Sequence, residues 1–255
     1  MRVLWVYAHP QGRSLNAALL QAGTDVLRRM GHEVVVSDLY AMGWKASLDA
    51  ADLGDAARSH PELTRASRQA YETGALTADI WQEQEKLAGA DAVVLQFPLW
   101  WYSVPAILKG WIDRVFDKGF AYGVRDAAGR TLRYGDGVLA GTPVQVIVTT
   151  GSPPAAMGPR GINGQLDQVL FPLLHGTLWY VGMRVLPPLA VHGADRVDPD
   201  GLQRARAAVQ GRVTRLWDLE PIRYRYQNRG DYDDDLVLRE EHLPGSGGLA
   251  VHLRP

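Results

Sequence analysis

The 255-residue sequence predicts an open α/β domain in which helices cover both faces of a doubly wound, parallel, five-stranded sheet. Two observations carry this. Short β-branched runs alternate with longer stretches of helical period along the first 216 residues, the rhythm of right-handed β–α–β crossovers. The hydrophobic share of 46% and charged share of 22% are those of a chain that buries an ordinary core without staples.

Residues 3–7 read as strand one, and residues 14–30 as a helix with Ser14 as N-cap, an apolar stripe at Leu15, Ala18, Leu19, Ala22 and Val26, and Gly31 as its stop. Strand two covers 33–39. Residues 40–77 are polar and aperiodic and read as a long excursion. A helix over 78–87, the central strand over 92–97 and a helix over 105–116 opened by Pro105 follow, then strand four over 144–150. Residues 151–164 form a Gly/Pro-rich loop, 166–174 an apolar helix, 184–191 a fifth strand and 199–216 a closing helix. From Trp217 apolar periodicity fades, so the chain divides into a domain over 1–216 and an irregular extension over 217–255.

Composition narrows function. A formal net charge of −1 supplies no field to attract nucleic acid or an anionic membrane, and the absence of Cys excludes disulfides, thiolate metal sites and cysteine nucleophiles. No apolar run approaches the roughly 20 residues of a bilayer span, and the start of the chain lacks a signal-peptide pattern. The expectation is a cytoplasmic protein without membrane insertion. His32, His60, His175, His192, His242 and His252 show no paired ligand spacing, and the acidic run at 233–235 reads as a solvated face, so no metal is expected.

Neither GxGxxG nor GxxxxGK occurs. The turn after strand one instead reads Ala8-His9-Pro10-Gln11-Gly12-Arg13-Ser14-Leu15-Asn16, where His9, Arg13, Ser14 and Asn16 can add donors to a helix N-terminus that favours phosphate; a polar loop with a capping serine is the plainer reading. At the carboxyl end of the central strand stands Pro98-Leu99-Trp100-Trp101-Tyr102. Three consecutive aromatics cannot all face a core, so at least one ring either stacks on a flat ligand at the crevice or covers the sheet end or a subunit interface. Thr149-Thr150-Gly151-Ser152 closes strand four, where a glycine lets backbone N–H groups approach an anion, or simply makes a turn.

Together the segments AHPQGRSLNAAL, SDLYAMGW, QFPLWWYSVPAILKGWIDRVF with the following GFAY, VIVTTGS and GINGQLDQVLFPLLHGTLWYVGMRVLPP resemble the NAD(P)H:quinone oxidoreductase family of DT-diaphorase type, and LWDLEPIRY and GLAVH resemble that family's C-terminal extension. The resemblance implies a flavodoxin-like fold with sheet order 2-1-3-4-5, FAD in preference to FMN, NAD(P)H as donor, and a homodimer with sites at its interface. It further implies ping-pong transfer of a hydride from NAD(P)H through flavin N5 to a quinone-like aromatic acceptor. By position, His9, Ser14, Leu15 and Asn16 would hold the pyrophosphate and ribityl chain. Pro98, Leu99, Trp100, Trp101 and Tyr102 would line the isoalloxazine, and Thr149, Thr150, Gly151 and Ser152 its pyrimidine edge. Trp101 and Tyr102, with Tyr122 from the second subunit, would enclose the nicotinamide or quinone.

The departures fall at the chemistry. The animal-type members carry a tyrosine and a histidine in the loop after strand four, and Met157 and Asn163 stand there in this sequence, neither able to titrate near neutral pH. The expected catalytic set is therefore Gly151, Ser152, Trp101 and Asn163, with Met157 and Asn163 at the substrate. Either backbone N–H groups or the loop's Arg160 would compensate charge on the reduced cofactor. Val124 replaces a second interface tyrosine, so a differently shaped acceptor pocket is expected. The competing reading is a nucleotide-binding ancillary subunit of a larger partner such as an ion-efflux system. An electron-carrier flavodoxin fits less well, since near-zero net charge lacks an acidic docking face.

Overall fold

The structure is a computed structural model that describes residues 1–254. Its strands are β1 (Arg2–Tyr7), β2 (Glu33–Asp38), β3 (Ala92–Pro98), β4 (Pro143–Thr150), β5 (Arg184–Val185) and β6 (Leu189–His192). The helices are α1 (Leu15–Arg29), α2 (Ala56–Ser59), α3 (Leu63–Thr73), α4 (Ala78–Ala88), α5 (Ala106–Val115), α6 (Leu166–Val169), α7 (Phe171–Leu173) and α8 (Pro199–Val213). The sheet runs β2-β1-β3-β4-β5, with β6 also paired to β4, and every pairing is parallel. No helix among the described residues is long and apolar enough to cross a membrane.

Strand alternation builds two cores. Leu4, Val6, Val93, Leu95, Phe97, Val144, Val146 and Val148 face one cluster, closed by Ile80 and Leu87 of α4 and Leu108 and Trp111 of α5. Val3, Trp5, Tyr7, Val94 and Ile147 face the other, closed by Leu19 and Leu27 of α1 and Val209 and Val213 of α8. Both faces of a parallel sheet are thus dry, the arrangement that all-parallel pairing requires. Gly23 sits where any Cβ would strike the Trp5 indole, so α1 comes close to the sheet only with glycine at that position.

Three departures from the sequence expectations have physical reasons. The expected fifth strand is two short strands, because Pro187 and Pro188 between them supply no N–H to the ladder. The excursion at 40–77 contains α3, whose buried stripe is Ala66, Ser67 and Ala70, too small and polar to stand out as apolar period. The helix expected over 166–174 is broken at Leu170 and passes into a π-helical turn, Leu174–Trp179. Beyond α8 the chain is held by short 3-10 turns and by isolated bridges such as Tyr224–Leu253 and Tyr232–Leu238.

Candidate active site

At the carboxyl edge of the sheet the ends of β1, β3 and β4 meet, at the point where the strand order reverses and open sheets leave a crevice. One buried hydrogen-bond chain fixes them. The Trp5 Nε1–H donates to Gln96 Oε1 (3.0 Å), the Gln96 amide donates to the Asn16 carbonyl (2.7 Å), and the Asn16 amide donates to Thr149 Oγ1 (2.8 Å). The Leu99 N–H donates to the Thr149 carbonyl (2.8 Å), which ties the β3 loop to the end of β4. Ser14 caps α1 by accepting from the Ala17 N–H (3.1 Å) while its hydroxyl donates to the Gln11 carbonyl (2.8 Å).

The crevice is a cavity of about 460 Å³ whose lining includes His9, Ser14, Leu15, Asn16, Pro98, Leu99, Trp100, Thr149, Thr150 and Gly151. Ten of the sequence-expected cofactor residues therefore converge on one space. Ala194 and Asp195, in the loop after β6, complete it. A Cβ on Gly151 would meet the Asp195 carboxylate, which would have to turn aside.

A second chamber of about 600 Å³ adjoins the first and shares Ser14, Leu15, Ala194 and Asp195 with it. Gly12, Arg13 and the first turn of α8, with Asp198, Pro199 and Leu202, form its other walls. Sequence reasoning named Arg13 but missed Asp195 and the α8 turn. The available signal was that β6 also ends at the carboxyl edge, so its loop belongs to the same crevice.

Trp101 and Tyr102 occupy a two-residue turn closed by reciprocal Trp100–Ser103 backbone hydrogen bonds of 3.1 and 3.0 Å. Both residues are left-handed, with φ of 50° and 61°, as this tight turn demands. The turn projects both rings from the end of the sheet: Trp101 is 95% and Tyr102 51% exposed. The Tyr102 hydroxyl donates to Asn163 Oδ1 (2.9 Å), and the Asn163 amide donates to Ser152 Oγ (2.8 Å). His192 Nδ1–H donates to the Ser152 carbonyl (3.2 Å), a carbonyl being able only to accept.

Trp101, Tyr102, Ser152 and Asn163, expected in the site, are outside the cavity's lining but joined to it by the turn and hydrogen bonds just described, whereas Met157, Arg160 and Tyr122 lie apart. Met157 is buried inside its own loop, because the 3-10 turn Pro154–Met157 points it inward. Arg160 is exposed on the same loop. Tyr122 is half-buried on a different surface, where burial first, then Asp117 and Tyr180, push its hydroxyl pKa above the ordinary value.

Residues 1–213 match the family described as having a flavodoxin-like fold. A candidate quinone reductase from Klebsiella pneumoniae has a solved structure that is 49% identical, covers 100% of both chains and superposes with a TM-score of 0.94. The ribosyldihydronicotinamide dehydrogenase-like protein traD of Penicillium crustosum is 40% identical over 259 residues, spanning 100% of this chain and 96% of that one. NAD(P)H dehydrogenase [quinone] 1 of Rattus norvegicus is 33% identical over 258 residues, 98% of this chain and 92% of its own.

Proposed function

The chain belongs to the flavodoxin-like NAD(P)H:quinone oxidoreductase family, and on that premise we propose that it is an FAD-dependent, two-electron quinone reductase that works as a homodimer. The observation that carries this reading is the pair of adjoining chambers at the sheet edge. FMN ends at one phosphate and would leave the second chamber bare, whereas FAD has an adenosine half to place there.

The residues suit such an occupant. The α1 N-terminus with Ser14 offers donors and a positive dipole end to a pyrophosphate, and Arg13 adds a cation beside it. Pro98, Leu99 and Trp100 supply a flat wall, while Thr149, Thr150 and Gly151 bring polar backbone to its edge. When bound, the flavin supplies hydride chemistry, taking two electrons from NAD(P)H and giving them to a quinone in a separate half-reaction.

The chain's own part is placement and exclusion of water. Asn163 cannot exchange a proton near neutral pH, so its role is orientation: it locks the Ser152 hydroxyl and the Tyr102 ring together at the mouth. Trp101 and Ile162, 95% and 96% exposed on two loops joined by the Tyr102–Asn163 hydrogen bond, are the apolar surface that a second copy would cover, bringing its Tyr122 over the slot.

The test is to release the bound cofactor by denaturation, identify it by chromatography, and titrate the intact protein anaerobically with NAD(P)H before adding quinone. FAD, bleaching by NAD(P)H alone and recovery by quinone are expected. Released FMN would overturn the two-chamber reading, and a protein that neither carries nor takes up flavin would overturn the whole.

A further inference from the structure

The corner that follows β6 holds the end of β4 in one orientation. Thr150 and His192 pair in the parallel ladder, and the chain then turns at Gly193, whose φ of 65° is left-handed. Two donors from that corner meet one acceptor: His192 Nδ1–H at 3.2 Å and the Gly193 N–H at 3.3 Å both donate to the Ser152 carbonyl. The same loop carries Asp195, which lines the crevice beside Gly151.

The rest of Ser152 is committed as well. Its N–H donates to Thr150 Oγ1 (3.2 Å), and its Oγ accepts from the Asn163 amide (2.8 Å), whose oxygen accepts from the Tyr102 hydroxyl. Pro153 follows and biases Ser152 toward extended backbone. Four hydrogen bonds thus fix this half-buried residue. A hydroxyl also has one hydrogen to give, and among the described residues no acceptor meets that of Ser152.

This uncommitted donor stands at the mouth of the crevice. Ser152 follows Gly151 of the lining, and the bonds through Asn163 link its hydroxyl to Tyr102, two residues past Trp100 of the lining. The Ser152 N–H, engaged by Thr150, adds nothing to an anion there, while Asp195 brings a negative charge to the same edge. Hydride transfer releases NAD(P)⁺ and delivers two electrons with one proton, which leaves the reduced cofactor anionic. A donor fixed beside that charge favours the reduced form, because it need not reorganise when the charge arrives.

We propose that His192 is a positioning residue for the redox step: by holding the Ser152 carbonyl it aims the serine hydroxyl at a carbonyl oxygen of the flavin's pyrimidine ring, and so raises the cofactor's reduction potential. The inference rests on the flavin reading above and adds to it the residue that orients the donor.

The test is to equilibrate flavin-loaded protein anaerobically with a dye of known potential and read both by absorbance. Ser152→Ala is expected to shift the equilibrium about tenfold toward oxidised cofactor, ~30 mV for a two-electron couple, the effect of one lost hydrogen bond to a charged group. His192→Phe and His192→Leu, which remove the donor while filling its place, are expected to shift it about threefold in the same direction. His192→Asn carries an amide nitrogen as many bonds from the backbone as Nδ1, and is expected to restore the wild-type value. In the Ser152→Ala background neither His192→Phe nor His192→Leu is expected to shift it further. A wild-type potential in Ser152→Ala or in the donor-less His192 variants, no restoration by His192→Asn, or a His192 effect that persists without the serine hydroxyl overturns the proposal. Each of those outcomes leaves the flavin reading intact, whereas wild-type protein that takes up no flavin refutes that reading and this inference with it.

Discussion

Asp117 is a carboxylate placed where water does not reach. Its Oδ1 accepts from the Ser67 hydroxyl, its Oδ2 is buried without a partner, and burial pushes its pKa up to about 6 from 3.8. It also starts the turn that presents Tyr122, since the Ala121 N–H donates to its carbonyl at 2.9 Å. Between the two pKa values the unfolded chain has lost this proton and the folded chain keeps it. Stability therefore falls as pH rises through that window, by at most about 3 kcal/mol, and stays lower above it. Asp117→Asn is expected to remove this dependence and to unfold later in urea at about pH 7, more stable by ~1–3 kcal/mol. Urea melts on either side of the window check it, and a wild type that gains stability relative to the variant as pH rises would refute the burial argument.

At the scale of elements, the Trp100–Ser103 turn trades stability for exposure. Two non-glycine residues in the left-handed region cost on the order of 1 kcal/mol each, and Trp101, 95% exposed, recovers little of that by packing. Trp101→Gly is expected to raise stability by about 0.5–1 kcal/mol while raising the quinone KM several-fold. Thermal melts and steady-state kinetics on the same preparation test both halves, and a variant with lower stability and unchanged KM would sink the idea. The turn's sequence was legible as a proline-bounded aromatic cluster, but its left-handed geometry was not. Glycine or asparagine is the usual signal for such a turn, and neither is present. Likewise α3 escaped notice because small residues, Ala66, Ser67 and Ala70, form its buried stripe, whereas β1, β3 and β4 were plain because short, largely apolar runs mark strands buried on both faces.

The whole molecule depends on how its last forty or so residues are pinned to the rest. Asp231, 8% exposed, accepts from Arg225 (3.2 Å) and Arg254 (3.1 Å), and His242 approaches at 3.7 Å. Arg225 also donates to the Val251 carbonyl (2.9 Å), and its own carbonyl accepts from Trp179 Nε1 (3.2 Å), joining the extension to the π-helical turn. Asp231→Ala leaves Arg225 buried and uncompensated, a loss of about 3–5 kcal/mol for a dry pair, so the extension should become the first site of proteolytic cleavage. Cleavage at wild-type rate and position would contradict that account.

By itself the sequence determined the alternating α/β architecture, the family resemblance and the three segments that meet at the sheet edge. Each of those is written in local order: a period along one element, or a short motif at its end. Only the tertiary structure decided that the loop after β6 and the first turn of α8 enlarge the crevice into two chambers, and that His192 meets the Ser152 carbonyl. Those contacts join residues far apart in the chain, and a pairing made by folding leaves no periodic trace in the order of the amino acids.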